Sequence, residues 1–115
     1  MTNINTDNIQ SQMKKGVLEF CILTIISREE SYPSDIATEL KEAGMHVLEG
    51  TLYPLLTRLK NAGHLDYRWV ESTSGPPRKY FTLTESGKEF YLSLKNTWQE
   101  INQAVLNITK TNKKL

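Results

Sequence analysis

A chain of 115 residues, 38% of them hydrophobic, is one domain's worth of polypeptide with the apolar content for a single modest core. Its one cysteine excludes a disulfide framework and any multi-cysteine zinc cluster within one chain, which fits a reducing, cytoplasmic setting. The net charge of +1 is low for a nucleic-acid binder, but the charge is unevenly spread: five cations stand against two acids between Thr51 and Tyr80, while Glu29, Glu30, Asp35, Glu39 and Glu42 gather upstream.

Residues 1–12 are polar and lack the cationic head, apolar middle and cleavage site of a secretory signal, so they are expected to form an N-terminal extension. A first helix is predicted from about Ser11 to Ser27, carrying Val17, Leu18, Cys21, Ile22, Ile25 and Ile26. Its apolar run is too short to cross a bilayer and is interrupted by Glu19, so no membrane partner is expected. Within that run Cys21 is expected to be a buried, inert thiol. After the charged break SREESY, Pro33 suits the first turn of a second, short helix with Ile36, Ala37 and Leu40 on one edge, ended by Gly44. A third helix places Leu48, Leu52, Leu55, Leu56 and Leu59 on one arc and ends at Gly63.

The segment LDYRWVE then alternates, with Leu65, Tyr67 and Trp69 on one face and Asp66, Arg68 and Val70 on the other. STSGPP supplies a turn, and KYFTL resumes a strand that pairs back as a β-hairpin, or wing, with Arg78 and Lys79 near its tip. Thr84 is placed to cap a last helix from about Glu85 to Lys110. On it Leu94, Trp98, Ile101, Val105 and Ile108 are spaced 4, 3, 4, 3, a heptad seam that calls for a partner helix. The expected fold is mainly α (α+β). It has a winged helix-turn-helix domain over 13–84, a C-terminal dimerisation helix over 85–110 and a tail at 111–115.

The chemistry of these elements points to DNA. Opposite its leucines the third helix presents Gly50, Pro54, Thr57 and Asn61, bordered by Thr51, Tyr53 and Arg58. Low bulk near the helix start, with hydroxyl and amide groups on the outer face, is what entry into a major groove requires. Any amphipathic helix has a polar outside, and two cations after a turn are often only solubilising. It is the order of helix, short helix, leucine-striped helix and cationic hairpin that favours a DNA reader. Pro54 lies beyond the first turn and predicts an irregular helix start. His46 and His64 have no companion ligands for a metal, no phosphate-binding glycine loop is present, and neither a cofactor nor an enzyme activity is indicated.

EGTLYPLLTRLKNAGHL followed by SGPPRKYFTLTESG resembles the PadR family of bacterial winged-helix transcriptional regulators, the likeness covering roughly Lys15 to Ile108 and including SYPSDI at the second helix. The resemblance implies a homodimer, usually a repressor, with the third helix in the major groove and the single C-terminal helix of the short subfamily making the dimer contact. Carried over residue by residue, Thr51, Tyr53 and Arg58 match the recognition-helix motif, and Arg78 and Lys79 match the wing. Family members often have Tyr-Gly-Tyr where this chain has Tyr32, Pro33 and Ser34, so Ser34 would make a shorter phosphate contact than a tyrosine.

The DNA-contacting set is therefore Ser34, Thr51, Tyr53, Pro54, Thr57, Arg58, Arg78 and Lys79, with double-stranded DNA as partner and Thr57 as the better candidate for a base contact. Some relatives sandwich planar aromatic drugs between paired tryptophans. Trp98 occupies the similar place, with Glu19, Phe20 and Asn102 as plausible walls of a site for a planar aromatic effector. The bland alternative is that Trp98 simply fills the dimer interface. The competing function is a winged-helix module whose same surface binds another protein.

Overall fold

The computed structural model describes residues 6–110. Four helices and one hairpin follow in the order α1 (Thr6–Arg28), α2 (Pro33–Glu42), α3 (Glu49–Asn61), β1 (Leu65–Val70), β2 (Arg78–Leu83) and α4 (Glu85–Lys110). The first helix starts about five residues before its expected beginning and takes in residues 6–12 of the expected extension. Those residues carry no proline or glycine to stop a helix. Residues 111–115, the expected tail, lie outside the described residues.

The core forms around α1, whose Leu18, Ile22, Leu23, Ile25 and Ile26 are buried together with Ile36 and Leu40 of α2, Leu52, Leu56 and Leu59 of α3, and Leu65 and Phe81 of the hairpin. Leu48 departs from the expected stripe: it is the N-cap residue, extended at φ −73° and ψ 145°, and is 67% exposed because the helical arc begins only after it. Cys21 is half-buried rather than buried, and desolvation raises its thiol pKa, which keeps it protonated and unreactive.

Two glycines close α2 and α3 in the same way. Gly44 (φ +99°) and Gly63 (φ +87°) take the left-handed conformation. The following Met45 and His64 N–H groups bond to the carbonyls of Leu40 and Leu59 at 2.8 and 2.9 Å, while the glycine N–H groups bond to Lys41 and Lys60. This doubly bonded ending is the Schellman motif, and it sets the sharp exits that turn the chain from α2 toward α3 and from α3 into the wing.

The hairpin is antiparallel, pairing Leu65 with Leu83 and Val70 with Arg78 at its two ends. Ser31, in the α1–α2 turn, adds a one-residue bridge: its N–H and C=O exchange bonds of 3.2 and 2.8 Å with Phe81. Thr84 caps α4 as expected, its Oγ1 accepting from the Gly87 N–H at 2.9 Å, and it also donates to the Gly63 carbonyl at 2.6 Å. One side chain thus joins the end of α3 to the start of α4. Beyond that joint α4 leaves the domain: every residue from Lys95 to Lys110 is exposed, and the molecule is drawn out to 59 × 34 × 24 Å. No described helix is long and apolar enough to cross a membrane.

Candidate nucleic-acid interface

Burying Leu52, Leu56 and Leu59 dictates what α3 shows to solvent, because at 100° per residue the opposite face falls on Gly50, Pro54, Thr57 and Asn61. All four are exposed, as are Thr51, Tyr53 and Arg58 at the margins. The helix runs unbroken through Pro54, so the expected irregular start is not seen. The proline instead withdraws the N–H that would bond the Gly50 carbonyl one turn back. No side chain caps the N-terminus of α3, so the first-turn N–H groups of Glu49 and Gly50 face solvent.

Around this face the structure gathers most of the expected residues. Ser34, half-buried in the first turn of α2, lines a shallow cleft of about 220 Å³ with Lys41, His46 and Glu49. It therefore borders the start of α3. Arg58 does not project freely, since its guanidinium pairs with the carboxylate of Glu19 on α1. That contact also corrects the expected role of Glu19: it turns toward α3 and lines neither cleft beside Trp98.

The wing cations are separated by the alternation of the strand. Both lie at the start of β2, with the seven-residue loop 71–77 extending beyond them, rather than at the hairpin tip. On one face Lys79 Nζ sits 4.1 Å from the Tyr67 ring centroid and 5.2 Å from that of Trp69, while Lys60 of α3 approaches Tyr67 from 5.5 Å. On the other face Arg78 donates to Tyr32 Oη at 2.9 Å and lies 4.6 Å from that ring. Adjacent strand residues point to opposite faces, so the two cations cannot act as one patch. Arg68, also on the Arg78 face, is held by Glu30 through Nε at 2.9 Å and through Nη2.

Tyr32 and Glu30 are contributors that the sequence does not single out, and Glu19 enters in a role other than the expected one. Each is brought to its arginine across 38 to 46 positions of sequence, and no local pattern announces such a pairing. Trp69, on the same strand face as Tyr67, stands 61% exposed beside Lys79 near the loop end of the wing.

The α4 seam is only partly covered. Leu94 packs on the core, while Trp98, Ile101, Val105 and Ile108 are 37%, 51%, 49% and 74% exposed. Between α1 and α4, a cleft of about 290 Å³ is lined by Val17, Phe20, Leu94, Trp98 and Ile101. A second, of about 430 Å³, has Trp98 and Asn102 in its wall. Phe20 and Asn102 therefore flank the indole in separate clefts, with Glu19 in neither. Among the described residues no group of His, Cys, Asp or Glu is arranged to hold a metal ion.

The family model described as the transcriptional regulator PadR-like family matches residues 22–92. Three solved structures are similar over most of the chain. A PadR-like transcription factor from Bacteroides fragilis is 55% identical, covers 88% of this chain and 98% of its own, and has a TM-score of 0.74. A PadR-like transcriptional regulator from Bacillus cereus is 39% identical, with coverages of 88% and 99% and a TM-score of 0.81. A Streptococcus transcriptional regulator is 37% identical, with coverages of 85% and 97% and a TM-score of 0.77.

Proposed function

The chain belongs to the PadR-like family of transcriptional regulators, and from that premise we propose that it works as a homodimeric repressor on a pseudo-palindromic operator. In this reading α3 enters the major groove, with Thr57 placed for base contact and Thr51, Tyr53 and Pro54 forming the approach surface. Ser34, Arg58, Arg78 and Lys79 supply phosphate contacts, and repression follows from occlusion of the promoter.

The observation that carries this reading is the outward face of α3, which is wholly exposed, low in bulk at its N-terminal end, and flanked by a wing bearing cations. Dimerisation is supported by the exposed heptad positions of α4, since four large apolar residues in a 4-3-spaced row cost free energy in water unless a second helix covers them. A planar aromatic effector between the two subunits is supported by the apolar clefts on either side of Trp98.

The test is selection of genomic DNA fragments by the purified protein, followed by sequencing. An enriched inverted repeat is expected. Recovery of no enriched sequence would favour the rival reading, a module that presents the same surface to another protein.

A further inference from the structure

The cations around α3 differ in whether the chain already occupies them. Arg58 is held by Glu19, Arg68 by Glu30 and Arg78 by Tyr32, while Lys60 and Lys79 lie over aromatic rings. Lys14 and Lys15 are exposed and make no ion pair or ring contact with any described residue. They stand where α1 passes the N-terminal half of α3, across an open groove of about 410 Å³ that Thr51 and Pro54 border on the far side. Its apolar lining comes from Leu18, Val47 and Leu55, so the two ammonium groups are the strongest charges at its edge.

We propose that Lys14 and Lys15 bind the sugar-phosphate backbone of the same duplex that α3 enters, so that the DNA-contacting surface extends beyond α3 and the wing onto α1. The proposal rests on the DNA-binding reading above. Thr51 and Arg58 mark the side of α3 that faces α1, whereas Lys60, on the opposite side of the helix axis, faces the wing. Phosphate contacts from α1 therefore brace the flank that the wing does not reach, and contacts on both flanks fix how deep and in what register the helix sits. Lysine suits this role: it is a flexible point charge that tolerates variation in backbone path, where the paired arginines are held in place.

The experiment is a salt titration of binding by the full-length protein to the selected operator fragment and to an unrelated fragment of equal length. Each neutralised phosphate contributes about 0.9 to the slope of log K against log salt, so Lys14→Ala/Lys15→Ala is expected to reduce the slope of a dimer by roughly 3 to 4. Affinity should fall for both fragments by a similar factor, roughly tenfold or more. Lys14 also borders the cleft beside Trp98, so the single variant Lys15→Ala, expected to reduce the slope by roughly half as much, isolates the effect on DNA. Lys14→Arg/Lys15→Arg should keep the wild-type slope, as should Lys88→Ala, which removes a lysine that pairs with Glu85 on α4.

A folded, dimeric double-alanine variant with the wild-type slope and affinity would overturn the inference and leave the operator reading standing. A loss confined to the operator fragment with an unchanged slope would also overturn it. Failure of the wild-type protein to bind either fragment would remove both readings together.

Discussion

Gly87 and Thr84 form a tight joint between the end of α3 and the start of α4. A methyl group at Gly87 would stand 1.9 Å from the His64 carbonyl oxygen, which is backbone and cannot swing aside. Gly87→Ala is therefore expected to cost about 1–3 kcal/mol, the usual range for overpacking, and to lower the urea midpoint. An unchanged midpoint would show that the joint has slack. The Glu30–Arg68 pair behaves differently, since it lies at the surface, with Arg68 exposed and Glu30 half-buried, and contributes little to stability. Its signature is electrostatic: the hydrogen bond from Arg68, and then its charge, hold the Glu30 carboxyl below the usual carboxylate range. A carboxyl lowered on folding contributes above its unfolded pKa, and the contribution is lost as pH falls through the folded value. In a carboxyl-resolved NMR titration, Arg68→Ala is expected to return Glu30 to the ordinary range. A Glu30 midpoint that does not move would rule out the pairing in solution.

Among the elements, α4 is the one whose sequence makes sense only with a partner. Its first turns are fixed by the Thr84 cap and by Phe90, Tyr91 and Leu94 against the core, and its remaining turns are exposed, with Trp98, Ile101 and Asn102 bordering open clefts beside α1. Ile101 lies at the middle of the exposed row, so Ile101→Glu places a charge where two copies would meet. The variant is expected to sediment as a monomer while keeping its helical circular dichroism, and a dimer of unaltered strength would move the interface elsewhere. The same element carries the effector hypothesis. Planar aromatic compounds are expected to quench the Trp98 emission of the wild type, with Trp69 as the background measured in Trp98→Phe. Equal quenching in both proteins would argue against a site at the indole.

At the scale of the whole molecule, the long axis matters because, in the proposed dimer, a fixed pair of α3 helices would read DNA only at a fixed separation. A twofold dimer with rigid arms requires half-sites about one helical turn, or a small multiple of it, apart. Inserting about five base pairs between the half-sites of a selected operator turns them to opposite faces of the duplex, and is expected to reduce affinity to that of a single half-site. Unaltered binding after the insertion would mean that the two readers are not rigidly joined.

Much of this architecture is written in local pattern. The leucine spacing of α3, the glycines that end α2 and α3, the alternation of β1, the threonine cap and the 4-3 row of α4 are each read within a dozen residues, because helix period, strand period and backbone conformation are local properties. The helix-turn-helix order, the wing and the outward face of α3 follow from them. Local pattern could not decide which charges are free. Glu19 meets Arg58, Glu30 meets Arg68 and Tyr32 meets Arg78 only because the core brings α1, α3 and the wing together, and those meetings tie the most obvious cations to partners within the protein while leaving Lys14 and Lys15 without an ion pair among the described residues. Sequence alone determined the 4-3 apolar row of α4 and the outward polar face of α3. Tertiary structure alone decided how its charges are shared between the protein and any DNA it meets, because an ion pair depends on distance through space and carries no period along the chain.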